Sequence, residues 1–269
     1  MAQQHDPRYS GSPGDVYERL IAPTIFTPWT RDLVALAAIQ PGERVLDLAC
    51  GTGIVARALA AQPGGAGPIV GLDLNPVMLA TARAVAADLP IDWREGDATA
   101  LPFAAGAFDV VLCQQGLQFM GDKPAALAEA YRVLAPGGRA LFGVWRSTRD
   151  NSGYRALEEA LARRVGPEAA ALPAFSLGDA RRLHALLAGA GFRDIHVRSE
   201  VHMSRFPSAE AFVRSMVAGA PSMLVALAGQ GEAALAAIIA DVAADLADAL
   251  DDDGLAFPQP SNIAVARKG

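Results

Sequence analysis

Residues 45–58 read VLDLACGTGIVARA. An apolar run meets one carboxylate, Asp47, then small residues with glycines at 51 and 53, then a renewed apolar pattern. A strand that enters a glycine turn and then a helix presents backbone N–H groups at the helix N-terminus. Those groups and the helix dipole favour an anion. Small residues at 49, 51 and 53 let a ligand approach the backbone closely. In an open parallel sheet, ligands bind beyond the carboxyl ends of the strands, and Asp47 sits near that edge.

The flanking sequence repeats the strand–turn–helix alternation. RVLDLA (44–49), PIVGLDL (68–74), IDWREGD (91–97), FDVVLCQ (108–114) and RALFGVW (139–145) read as five strands. Residues 53–62 read as a helix ended by PGGAG. Asn75 caps the next helix, with Pro76 at its first position, and 123–135 form another, closed by PGG. Strands alternating with helices imply a mainly parallel sheet with helices on both faces.

Beyond this core the pattern loosens. Residues 1–13 read as a frayed leader. Residues 15–39 read as two short helices with a kink near Pro23 and Pro28. Helices are expected at 153–165 and at 179–190, the latter stopped by Gly191. Strands are expected at 193–206 and 262–268, with a helical insertion over 208–252 between them. Within it, Asp241, Asp245 and Asp248 alternate with apolar residues, which reads as a helix with an acidic outer face. The chain thus divides into an N-terminal leader with lid helices (1–39), a cofactor-binding α/β core (40–150), and a C-terminal part of the core that carries the insertion (151–269).

Composition narrows the function. The chain has 269 residues, 52% hydrophobic and 19% charged, which suits one α/β domain with an embellishment, or at most two. The net charge is −6, and no Lys/Arg cluster supplies a nucleic-acid face. Two cysteines, Cys50 and Cys113, are too few for a disulfide-framed secreted fold. No signal segment and no apolar run of about 18 residues is visible. The expectation is a cytoplasmic protein without a membrane span, monomeric or homodimeric.

Gly51-x-Gly53-x-x-Ala56 fits a dinucleotide-binding fingerprint, and Asp73 follows Gly53 by 20 residues, where a ribose-binding acid belongs. This says nucleoside cofactor without saying which. The competing reading is a glycine turn that serves packing alone.

The surroundings of the loop discriminate. Asp47 gives D-x-A-x-G-x-G, Gly96-Asp97-Ala98 closes the third strand, FDVVLCQQGLQF follows the fourth, and VLAPGGR leads into the fifth. In this combination the chain resembles the class I S-adenosylmethionine-dependent methyltransferases. More narrowly it resembles the small-molecule enzymes of the ubiquinone/menaquinone-biosynthesis type, over about residues 40–147. Ala49 stands where one glycine of the pattern would be. The resemblance implies a doubly wound, seven-stranded, mainly parallel sheet in the order 3-2-1-4-5 plus two late strands, the last antiparallel. It also implies S-adenosylmethionine as cofactor, with S-adenosylhomocysteine as product.

Carried over residue by residue, Asp47, Ala49, Cys50, Gly51, Thr52 and Gly53 would border the methionine portion of the cofactor, its ammonium facing carbonyls near Ala49 and Gln114. Asp73 would accept both ribose hydroxyls. Met78 would lie along the adenine, Asp97 with Ala98 would take its polar edge, and Leu74 would be a further cofactor-binding residue. Tyr17, Phe26, Trp29, Gln115, Gln118, Phe119 and Trp145 would line a mostly apolar acceptor pocket.

No general base stands out, and an in-line methyl transfer can proceed on orientation alone. His184, His196 and His202 read as structural or surface residues, and no spacing suggests a metal. Cys50 and Cys113 read as small buried hydrophobes beside the cofactor. The rivals are a nicotinamide-dependent oxidoreductase, which would call for a pair such as Tyr-x-x-x-Lys that the chain lacks, and a non-catalytic S-adenosylmethionine-binding protein.

Overall fold

The strands are β1 (Val45–Leu48), β2 (Ile69–Asp73), β3 (Ile91–Glu95), β4 (Phe108–Gln114), β5 (Leu134–Trp145), β6 (Arg193–Phe206), β7 (Leu250–Asp251) and β8 (Gly254–Arg267), of which β1, β2 and β4 are short, largely apolar runs. The structure, a computed structural model, describes residues 9–62, 65–219, 223, 227 and 229–269. The sheet order is β3-β2-β1-β4-β5-β8-β6, with β7 paired to β8 off that path. The β1–β5 pairs are parallel, and β5 meets β8 antiparallel, as expected of the last strand. Among the described residues the sheet therefore has eight strands, one more than expected. The extra one is the two-residue β7, a hairpin on β8 with Leu250 opposite Leu255 and Asp251 opposite Gly254. Its turn is closed by the Asp253 N–H donating to Asp251 Oδ1 at 2.9 Å.

The helices are α1 (Pro13–Val16), α2 (Thr27–Ala37), α3 (Ile54–Ala60), α4 (Pro76–Val85), α5 (Lys123–Val133), α6 (Ser152–Arg164), α7 (Pro167–Ala170), α8 (Ala180–Gly189), α9 (Ala209–Gly219) and α10 (Glu232–Asp245). The chain divides into a core unit, residues 27–146, 174–200 and 261–269, and a second unit, residues 1–26, 147–173 and 201–260. β6 and β8 each have residues in both.

In the core unit, alternation along β1 sorts its side chains to two faces. Leu46 and Leu48 join a buried cluster with Leu127, Ala130 and Val133 of α5 and Leu183 and Leu187 of α8. Asp47 points the other way and reaches α3. β4 is buried almost throughout, as a central parallel strand covered on both sides must be. Arg139 on β5 ties down the chain before β1. It donates to the carbonyls of Ala37 and Ala38 at 2.6 and 3.2 Å and to both Glu43 oxygens at 2.7 Å. The Arg139 hydrogen bonds hold the Glu43 carboxyl below its usual range, against the opposing effect of burial.

Boundaries shift where backbone pairing overrides local signals. Pro136–Gly138 lies inside β5 rather than closing α5. The Gly137 N–H donates to Lys268 O at 3.1 Å and the Lys268 N–H to Gly138 O at 2.9 Å, so the chain end extends the strand. β8 likewise starts at Gly254, eight residues before the expected 262. Part of the PGGAG turn and of the 208–252 insertion falls outside the described residues.

In the second unit, Ser12 and Asp15 form a reciprocal capping box that opens α1, so this end of the expected leader is structured. Residues 1–8 lie outside the described residues. Tyr17–Phe26 is a π-helical stretch with Pro23 inside it, instead of a helix broken at Pro23. Pro28 opens α2 instead of kinking it. Tyr154, Phe206, Phe212 and Phe257 make an aromatic core with ring centroids 5.0–6.1 Å apart. Asp241 and Asp245 of α10 pair with arginines of α6 at the surface, and Asp245 and Asp248 are exposed, as an acidic outer face requires. Arg164 Nη2 lies 2.6 Å from Asp241 Oδ1 and Arg163 Nη2 lies 2.7 Å from Asp245 Oδ2. Among the described residues no helix is long and apolar enough to cross a membrane.

Candidate functional site

Parallel pairing sets the carboxyl edge of the sheet. Asp47 lies opposite Gly71 on β2 and Leu112 on β4. Two residues further, the chain at Ala49 leaves the sheet between Asp73 and Gln114, the last residues of β2 and β4.

The loop has an alternating backbone. Ala49, Gly51 and Gly53 have φ of +56°, +56° and +80°, while Cys50 and Thr52 keep ordinary negative values. Such sign alternation is the pattern of a concave nest of main-chain N–H groups. Gly53 caps α3 without a side chain, and the acceptor comes from β1: the Ala56 N–H donates to Asp47 Oδ2 at 2.9 Å. Asp73 holds the turn from the other flank. Its Oδ2 accepts from the Gly51 N–H at 2.7 Å and its Oδ1 from the Asn75 N–H at 2.8 Å. Asn75 caps α4 through its own side chain, as expected.

The two loop glycines have different reasons. A Cβ on Gly51 would meet nothing within 4 Å, so the missing side chain leaves room for a ligand. A Cβ on Gly53 would lie 2.1 Å from Cη2 of Trp93, and one on Gly71 would lie 2.4 Å from Cζ3 of the same indole. Trp93 on β3, opposite Gly71, was not among the expected site residues. The only signal for it was a large aromatic directly across from a strand glycine.

Asp47 is buried, and desolvation, opposed by the Ala56 N–H and reinforced by Asp73, raises its pKa to about 7. Asp73 is raised too, first by burial. An acid whose folded pKa exceeds its unfolded value binds its proton more tightly when folded. Its ionisation therefore costs stability over the interval between the two values. The ligand-free protein should lose stability from this group as pH rises from about 4 to about 7. Urea titrations across that window should show a flatter profile for Asp47→Asn than for the parent. Parallel profiles would mean that Asp47 is not the group responsible.

Other expected residues are placed as follows. Thr52 is buried, and its Oγ1 has no hydrogen-bond partner. Leu74 is 66% exposed and Met78 half-buried beside it on the first turn of α4. Asp97 is exposed on a turn, its Oδ1 accepting from the N–H and Oγ1 of Thr99 at 2.8 Å each; these bonds lower its pKa. Ala98 is half-buried beside it. Cys50 and Cys113 are free and buried. Burial pushes the Cys113 thiol up to about 12 and the Cys50 thiol well above its ordinary value, so both stay protonated.

The glutamines form a chain of buried amides. Gln114 Oε1 accepts from Thr30 Oγ1 at 2.9 Å. Gln115, itself at φ +55°, donates through Nε2 to Ser261 Oγ at 2.9 Å, and Ser261 donates on to Val144 O at 2.9 Å. Gln118 Nε2 reaches Gln115 Oε1 at 3.4 Å, which leaves Gln118 Oε1 buried without a partner. Thr30 and Ser261 were missed because a lone hydroxyl in an apolar stretch carries no pattern. Trp29 and Trp145 are buried and stand edge to face at 5.8 Å, and Phe119 is 56% exposed. Tyr17 and Phe26 belong to the second unit, where their rings lie 5.3 Å apart. Among the described residues no group of three His, Cys, Asp or Glu is placed to hold a metal ion.

Residues 45–138 match the family described as the methyltransferase domain. The chain is similar to the demethylmenaquinone methyltransferase of Thermus thermophilus, 45% identical over 141 residues, which is 52% of this chain and 61% of that protein. It is also similar to a ubiquinone/menaquinone biosynthesis C-methyltransferase of Stenotrophomonas maltophilia, 40% identical over 130 residues, 47% of this chain and 51% of that one. The alignments thus span about half to three-fifths of these relatives. In fold, the chain is similar to the YcgJ protein of Bacillus subtilis, with a TM-score of 0.61 at 16% identity over 89% of this chain and 97% of that one. The resemblance to ubiquinone/menaquinone-type methyltransferases read from the sequence holds over this segment, and the doubly wound α/β architecture is the one observed.

Proposed function

We propose that this protein transfers a methyl group from S-adenosylmethionine to a small, apolar or aromatic organic acceptor. One observation carries the reading: a main-chain nest flanked by buried Asp47 and part-buried Asp73 sits at the carboxyl edge of the sheet, inside the segment that matches the methyltransferase domain. The residues fit that cofactor. The empty side of Gly51 admits it, Thr52 Oγ1 is a buried polar atom awaiting a partner, and the two acids favour a cation beside them.

When bound, the cofactor supplies a methyl group on a positively charged sulfur. The chain's task is to hold, orient and keep water out. The nest takes the carboxylate of the methionine part, and carbonyls near Ala49 and Gln114 take its ammonium. Asp73 accepts the ribose hydroxyls, while Leu74 and Met78 line the adenine and Asp97 with Ala98 meets its edge. Gln115, Gln118, Phe119, Trp29 and Trp145 supply apolar wall with amide handles for the acceptor. No residue is assigned as a base, because an aligned displacement needs none for a sufficiently nucleophilic acceptor.

The test is incubation with methyl-labelled S-adenosylmethionine and a metabolite extract. Label should move to an extractable small molecule. Tight cofactor binding with no transfer to any fraction would favour the non-catalytic alternative, and saturable nicotinamide binding would favour the oxidoreductase.

A further inference from the structure

β6 is the terminal strand of the sheet, with β8 on one side. Among the described residues no strand pairs with its outer edge. From Ile195 to Met203 it reads IHVRSEVHM, a near-palindrome about Ser199. Val197 mirrors Val201, His196 mirrors His202, and Ile195 mirrors Met203. The one asymmetric step is a reversal of charge, Arg198 against Glu200. Val201 and Met203 are 56% and 57% exposed, large apolar side chains on an open strand edge.

An open edge is usually protected by charges that repel a second copy. Here the charges do the opposite. We propose that β6 pairs antiparallel with β6 of a second copy of this chain, about a two-fold axis through Ser199. Residues equidistant from Ser199 then face each other on the same side of the joined sheet. Arg198 meets Glu200 of the partner subunit and Glu200 meets Arg198 of the partner subunit. The valines meet each other, and isoleucine meets methionine. No like-charged pair of acids or of arginines falls within the nine-residue span. An isologous contact requires such a self-complementary patch. Within one chain, Arg198 Nε already lies 3.4 Å from Glu200 Oε1, so both charges stand on one face, where a partner's opposite charges would join them. Asp194, whose φ is +49°, interrupts the regular strand just before this span. The family match at 45–138 does not include this strand.

Nine residues per side is well under the ~20–30 of a standard interface, so the dimer should be weak, with a Kd on the order of micromolar or above. Sedimentation velocity over a concentration series tests it. The parent should show reversible dimerisation. Arg198→Glu faces acid with acid twice and should weaken it about tenfold or more. The swap Arg198→Glu with Glu200→Arg should restore it, and thermal melts confirm that each variant is folded. Ser199→Cys, on the axis, should cross-link to itself under mild oxidation, whereas Val201→Cys, which faces Val197, should not. A monomer at every concentration, a dimer indifferent to Arg198→Glu, or a folded swap that stays monomeric would overturn the proposal.

Discussion

Replacing Asp73 with alanine is expected to weaken S-adenosylmethionine binding by about 2–4 kcal/mol, roughly 30- to 1000-fold. Two effects add. The first is loss of charge-assisted bonds to the ribose hydroxyls. The second is structural: Asp73 is also the acceptor that holds the Gly51 N–H at 2.7 Å, so the variant releases the nest it would bind with. Titration calorimetry on Asp73→Ala and Asp73→Asn separates the two. The amide keeps an acceptor for Gly51 but not the charge, so it should fall between parent and alanine. Unchanged affinity in Asp73→Ala would remove the ribose assignment.

Gly53→Ala is expected to cost about 2–5 kcal/mol of folding stability before any ligand is added. Its φ of +80° is left-handed, which costs an L-residue roughly 1–2 kcal/mol. Overpacking adds about 1–3 kcal/mol, because the new methyl would stand 2.1 Å from the Trp93 indole unless the ring moves. Denaturant unfolding of Gly53→Ala, alone and with Trp93→Ala, measures the coupling. The second change should recover the packing part and leave the conformational part. Full stability in Gly53→Ala, with loss confined to cofactor affinity, would show that Gly53 serves only the ligand.

That experiment addresses a question the sequence left open, whether the glycine turn exists for packing or for a ligand. The structure divides it by position: Gly53 makes way for Trp93, and Gly51 faces open space. β4 was legible because a central parallel strand is apolar throughout, and both it and the terminal strand β6 begin and end where the pattern placed them. The cap at Asn75 was legible because capping is local chemistry. What was not legible depends on partners distant in sequence. β5 starts early because Lys268 pairs with its glycines, and the surface acids of α10 are paired because arginines on α6 meet them. The π-helical run through Pro23 defeats any rule that takes proline as a stop. At the site, the acids and glycines announced themselves through spacing, whereas Thr30, Trp93 and Ser261 matter only through contacts.

Ala49 and Gly116 illustrate how such contacts bind a protein's history. A Cβ on Gly116 would stand 2.6 Å from the methyl of Ala49, so the two positions share space for a single small side chain. Drift at one is therefore epistatic on the other. Bulk at 116 would meet the methyl at 49 and also the Cys113 sulfur, so removing that methyl relieves only the closer of the two clashes. Aligned relatives are best compared with this pair scored as one character.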